Sequence, residues 1–224
     1  MAKPAKLYQF AVIATDITIF TVEDGALKVL LIKMNKSPFE DCWAAPGGLI
    51  QIDESVDQAA KRILAEKTGL KQVYLEQLYT FGEVKRDPFG RVVSVAYFAL
   101  ISSDGLKLAT SDEHREISWF SVNELPKLAY DHKAMIRSAI ERLRGKLEYT
   151  NIVYSLLPDA FTLSELQSAY ETILGRTLDK RNFRKKVLSL GMIRKTGKLD
   201  LGKKNRPAEL YSFIEKKLKN IEIL

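Results

Sequence analysis

The sequence predicts an α+β protein of two unequal domains: a mixed strand-and-helix unit over residues 1–147 and a smaller unit of two helices and a hairpin over 148–224. Three observations point there. Strand-like segments at 9–20, 27–34, 73–81, 92–101 and 117–120 are interrupted by one short helical stretch and followed by a long amphipathic one. From Asn151 the pattern changes to helix, turn, helix and hairpin. Charge also divides unevenly. Up to residue 150, 20 Lys and Arg meet 20 Asp and Glu; residues 151–224 hold 15 against 8, so the whole net charge of +7 lies in the last third. A neutral first part and a basic second part suggest two jobs, the second with a polyanion.

With 224 residues, 46% of them hydrophobic and 28% charged, the chain can bury real cores and sits in the globular class. Cys42 is the only cysteine, which excludes an intramolecular disulfide and any zinc site built on paired cysteines, and fits a reducing, cytoplasmic setting. Asp16 interrupts the apolar run that follows Lys3 and Lys6, so no signal-peptide core is complete. No window approaches the ~20 apolar residues of a membrane span, and no membrane partner is expected.

Taken in order, Glu23-Asp24-Gly25 is a turn signal between two strands and predicts a hairpin. The pattern breaks at Pro46-Gly47-Gly48. Asp53 or Ser55 then caps a helix with apolar positions Val56, Ala59, Ala60, Ile63 and Leu64, ended by Gly69. The long helix carries Met135, Ile136, Ala139, Ile140, Leu143 and Leu147 at helical spacing, with Arg137, Glu141, Arg142 and Arg144 on its exposed face. Thr162 and Glu165 form a capping box before the stripe Leu163, Leu166, Tyr170, Ile173 and Leu174, stopped by Gly175. Asp179 caps a second helix over 180–190, stopped by Gly191. Short strands at 192–194 and 210–213 bracket a basic loop with Gly197, Gly202, Asn205 and Pro207.

Gly48, Glu54, Arg62, Leu64, Glu66, Gly69 and Leu70 resemble the Nudix signature G-x5-E-x7-R-E-U-x-E-E-x-G-U, where U is apolar. The resemblance implies a Nudix α/β/α sandwich for the first domain. In the intact motif three glutamates at i, i+3 and i+4 stack their oxygens on one helix face, and the divalent cations they hold polarise a pyrophosphate and activate water. Here those positions are Ile63, Glu66 and Lys67, so the trio's formal charge goes from −3 to 0. An ammonium repels a cation at ~4 Å by a few kcal/mol at an effective dielectric near 20. The expectation is a protein without catalytic residues, metal site or cofactor, magnesium being possible but not expected. A groove shaped for a nucleotide derivative outlasts the chemistry. Its candidate residues are Gly47, Gly48, Arg62 and Glu66, joined by Arg86, Asp87 and Arg91 from the turn 85–91 and by Asp131 and His132.

In the second helix Phe183, Val187 and Leu188 are expected to point inward. Lys180, Arg181, Arg184, Lys185 and Lys186, with Asn182 among them, spread over the rest. An amide that pairs with adenine and arginines that pair with guanine suit a helix entering the major groove. Lys198, Lys203, Lys204 and Arg206 follow in the loop, where a hairpin would track the backbone. The expected DNA contacts are Lys180, Arg181, Asn182, Arg184, Lys185, Lys203, Lys204 and Arg206.

Helix, turn, basic helix and hairpin is the winged-helix order, and a Nudix-like domain followed by it resembles the NrtR-type transcription regulators of bacteria. The resemblance rests on Arg86-Asp87-Pro88, the run from Arg91 to Tyr97, Leu128-Ala129-Tyr130-Asp131-His132, Phe161-Thr162-Leu163, the run from Leu178 to Lys185, and Arg206-Pro207-Ala208. It implies a homodimer on palindromic operator DNA and a Nudix part that senses a small-molecule effector, ADP-ribose or another NAD-related metabolite, without hydrolysing it. Related Nudix–winged-helix regulators respond to sugars such as arabinose, which ranks a pentose or sugar phosphate second. An active hydrolase of nucleoside diphosphate derivatives, resting on Glu66, is the remaining alternative.

Overall fold

The computed structural model describes residues 10–69, 73–102, 116–201, 207–221 and 223. Leu70, Lys203, Lys204 and Arg206 lie outside them. A mixed sheet forms the centre of the larger unit. Its longest strand, β1 (Val12–Glu23), pairs antiparallel with β2 (Ala26–Lys33) and parallel with β6 (Val92–Leu100). Beyond β2 lie β3 (Trp43–Ala44) and β7 (Ile117–Ser121), and beyond β6 lies β5 (Tyr74–Phe81). The short β4 (Gly47–Leu49) pairs with the start of β1. The β1–β2 connection is the expected tight hairpin: Asp24 and Gly25 both have positive φ, at 51° and 72°, which matches the twist of the flanking strands.

Helices cover both faces, so these strands are apolar on both sides rather than alternating with polar residues. Ile17, Ile19, Leu30, Tyr97 and Ala99 point to one face and meet Ala60, Ile63 and Leu64 of α1 (Val56–Thr68). Phe20, Leu31, Phe98 and Leu100 point to the other and meet Met135, Ile136, Ala139 and Leu143 of α2 (His132–Tyr149). Full burial of each such aliphatic side chain stabilises by roughly 1.5–3 kcal/mol. Ser55, rather than Asp53, caps α1 in a reciprocal box with Gln58, and Gly69 closes it at φ 74°.

The smaller unit holds α3 (Leu163–Leu174) and α4 (Lys180–Ser189) against a three-stranded sheet of β8 (Phe161–Thr162), β9 (Ile193–Asp200) and β10 (Ala208–Phe213). The expected Thr162–Glu165 box is present. Two expectations need correction. Residues 195–200 continue β9 instead of forming loop, with Gly197 taking φ 76° inside the strand. The face of α2 read as exposed is only partly so: Arg142 donates to Glu76 and to the Leu78 carbonyl of β5, and Arg144 donates to the Ile173 carbonyl at the end of α3.

One hydrophobic cluster runs from Phe20 through α2 to Phe161, Tyr170 and Phe183, so the two units share a core. The expected boundary after residue 147 falls in the last turn of α2. The chain near Ile223 returns to that joint: Ile221 and Ile223 donate to the Tyr149 and Glu148 carbonyls. The Asn151 amide donates to the Lys217 carbonyl and accepts from the Lys219 N–H.

Candidate functional site

Two regions carry functional chemistry. The first is a cleft at the edge of the sheet, where β1, β3, β4 and the turns before β6 and α2 converge on a cavity of about 250 Å³. Ala14, Ile32, Met34 and Ala44 give it an apolar floor, and Asp16, Arg86, Asp87 and His132 give it polar walls. Gly47 pairs with Asp16 across β1 and β4. A Cβ at Gly47 would lie 1.9 Å from Asp16 Oδ1, so only glycine lets β4 close against that carboxylate.

Arg86 is the hub. Its side chain is 3% exposed and grips Asp131 bidentately, Nε to Oδ2 at 2.9 Å and Nη2 to Oδ1 at 2.7 Å. Nη2 also lies 3.5 Å from Asp16 Oδ2, which accepts from Ser94 Oγ at 2.6 Å. Asp131 stands at the N-terminal cap of α2 but makes no capping bond, because its carboxylate is turned to Arg86. His132, an expected ligand residue, is the buried first residue of α2. Its Nδ1 accepts the Ala45 N–H at 2.9 Å, which puts the proton on Nε2, 3.7 Å from Asp16 Oδ1. Desolvation pushes the His132 pKa down, against the opposing pull of Asp16 and Asp131, and the ring is neutral.

Tyr130 and Arg86 form a wall shared with a more open hollow of about 450 Å³, whose other lining includes Pro38, Phe39 and Lys85. Tyr130 takes φ 50°, a left-handed conformation that a bulky residue adopts only when its surroundings impose it. Two carboxylates, Asp16 and Asp87, face the inner cavity beside Arg86, and a third, Asp131, lines the adjoining hollow, so acceptors outnumber the one guanidinium. Such walls suit hydroxyls and exocyclic amines, and Arg86 and Lys85 bring positive charge to the adjoining hollow.

The second region is the face of α4. Lys180, Arg181, Asn182, Lys185 and Lys186 are exposed, and among the described residues none of these cations pairs with a carboxylate. Phe183 and Val187 are buried as expected, but Leu188 is exposed. Arg184 is half-buried and donates to Ser164 Oγ of α3 at 2.9 Å, with its Nε buried and unpartnered. Beside the helix, β9 and β10 form the hairpin, where Lys195 pairs with Glu209.

Comparison with known proteins agrees with this division. Residues 13–140 match the NUDIX domain model, and residues 153–213 match the NrtR DNA-binding winged helix domain model. The ADPR responsive transcriptional repressor NtrR of Acinetobacter baylyi is 39% identical over 211 residues, covering 92% of this chain and 83% of that protein. The chain belongs to the NrtR family. Shewanella oneidensis NrtR, solved in complex with a 27mer DNA, superposes with a TM-score of 0.80 at 36% identity, covering 90% of this chain and 93% of that one. The NUDIX domain of the same protein, solved with ADP ribose, gives 0.55 at 37% identity over 63% of this chain and 94% of that one. An ADP-ribose pyrophosphatase of Methanocaldococcus jannaschii is 35% identical over 64% of this chain and 81% of its own.

Within this NrtR-family chain the Nudix box has become a brace. Arg62 donates to both oxygens of Glu54, at 2.9 and 2.6 Å, and to Glu66 and the Leu49 carbonyl at 3.2 Å. The Arg62 guanidinium holds the Glu54 pKa down at about 2. Ile63 is buried, packed so close to Gly48 that a Cβ there would meet it at 3.3 Å, and Lys67 is itself 9% exposed. These residues do not fit a divalent cation: the surviving carboxylate is paired with an arginine, and its two companions are apolar and cationic. Among the described residues no cluster of three His, Cys, Asp or Glu side chains could hold a metal ion, and no helix is long and apolar enough to cross a membrane.

Of the expected ligand residues, Gly47, Gly48, Arg86, Asp87 and His132 line the inner cavity and Asp131 the adjoining hollow. Arg62 and Glu66 lie on α1 in the brace. Arg91 donates to the Gly82 and Glu83 carbonyls and closes the turn that carries Arg86. Sequence reasoning missed Asp16, Ser94 and Tyr130. A lone carboxylate inside an apolar strand was the available signal for Asp16, since an acid between two buried faces needs partners.

Proposed function

We propose that this protein is a transcription regulator that binds operator DNA through α4 and its hairpin and senses ADP-ribose, or another NAD-related metabolite, in the Nudix cleft. It acts as a homodimer on palindromic sites, and the cleft binds its effector without hydrolysing it. One observation carries the reading: a helix face of exposed cations that, among the described residues, have no carboxylate partners, in the segment matched by the NrtR winged helix model. Such a face waits for phosphates and base edges. The acceptor-rich cavity supports an effector that brings hydroxyls and an amine, as ADP-ribose does.

Fluorescence anisotropy of a duplex from the region upstream of the protein's own coding sequence tests this. Binding should weaken steeply with salt and change at least fivefold with ADP-ribose, a coupling of about 1–3 kcal/mol. Binding that ignores both salt and ADP-ribose would end the proposal. The same acceptor-rich cavity favours a pentose as the second reading. A thermal-shift series with ADP-ribose and arabinose separates the two, since ligand at 100 times its Kd stabilises by about 2.7 kcal/mol. No turnover of ADP-ribose is expected with magnesium present.

A further inference from the structure

Helix α4 advances by about 100° per residue, so positions i, i+4 and i+7 share a stripe. Phe183 and Val187 define the buried stripe. Arg181, Lys185 and Leu188 define the one facing away from it, and all three are exposed. Leu188 keeps 48% of its surface in solvent, in line with the two cations. An isobutyl group there leaves about half its surface in water in the free protein and lies on the face proposed above to meet DNA. The major groove offers one apolar group, the C5-methyl of thymine. Arg184 stands off this stripe, tied to Ser164 of α3. That contact fixes α4 against α3 and takes Arg184 away from the base-reading role expected of it.

We infer that Leu188 reads a thymine methyl group in the major groove, with Arg181 and Lys185 making the polar contacts alongside it and Arg184 holding the angle of the helix. This rests on the DNA-binding reading above and adds a base identity to it. Uracil, which lacks the methyl group, gives a chemical test. The full-length protein is used to enrich a sequence from randomised duplexes, and the enriched duplex is remade with uracil replacing each thymine in turn.

At one thymine, or one symmetry-related pair, wild type should lose about fourfold in affinity, the worth of one buried methyl group. Leu188→Ala should bind the thymine duplex about fourfold more weakly than wild type and show no loss with uracil at that position. Leu188→Met, which keeps an apolar side chain, should retain the discrimination. Arg184→Ala should lower affinity for the thymine and uracil duplexes by the same factor. Identical uracil scans for wild type and Leu188→Ala overturn the inference and leave the regulator standing. Failure to enrich any sequence or bind any duplex overturns the regulator reading and the inference together.

Discussion

The cleft and the face of α4 use the same side chains in opposite ways. In the Nudix domain Arg62 and Arg86 are each gripped by carboxylates, and Arg91 by two carbonyls. On α4, Lys180, Arg181 and Lys185 stand in solvent, without acidic partners among the described residues. A guanidinium enclosed by carboxylates is part of the frame, because removing it strands buried charge. One left bare on a surface costs the fold little to remove and is free to recognise. Counting cations therefore does not locate a binding site; asking which are already spoken for does.

The contrast is broken most directly at Arg86. Arg86→Ala strands Asp131 and Asp16 inside the protein and should cost about 3–5 kcal/mol of folding stability. Urea denaturation would measure it, and a loss under about 1 kcal/mol would mean that the cluster is not structural. Arg181→Ala is the opposite case. It should weaken DNA binding by about 1–3 kcal/mol while leaving the urea midpoint unchanged, and any comparable loss of stability would erase the distinction between the two regions.

The smallest effect concerns His132. Its folded pKa is depressed below the ordinary 6.5 by desolvation. Above 6.5 the ring is neutral folded or unfolded, and its contribution to stability is fully present. As pH falls below 6.5 the unfolded chain takes up a proton that the folded protein refuses, and stability falls. His132→Gln, which keeps an acceptor for the Ala45 N–H, should flatten the fall of the melting temperature as pH drops below 6.5. An unchanged slope would place the titration elsewhere.

Much of the fold could be read locally. The spacing from Gly48 to Gly69 placed α1, the Thr162–Glu165 box placed α3, and Asp24-Gly25 placed the hairpin, because caps and turns are decided within a few residues. The cleft was legible only in part. Arg86 reaches Asp131 45 residues away and Ser94 reaches Asp16 78 residues away, pairings that no local period encodes. Asp16 looked like an interruption in an apolar run because its partners come from β6 and two distant turns. Residues 195–200 looked like loop because Gly197 and the cations mimic turn chemistry, although pairing with β10 holds them extended. Leu188 looked inward because it adjoins Val187; one step of about 100° carries it out of the core.

The clasp at the end of α2 has a mechanical consequence. Asn151 is held at both ends of its amide, by the carbonyl of Lys217 and the N–H of Lys219, and the neighbouring backbone is stitched to Ile221 and Ile223. With α3 also anchored through Arg144, the winged helix is bolted to its own Nudix domain and cannot dangle from it. Any displacement of the end of α2 would therefore carry α3 with it, because Arg144 and the stitched backbone hold them as one piece.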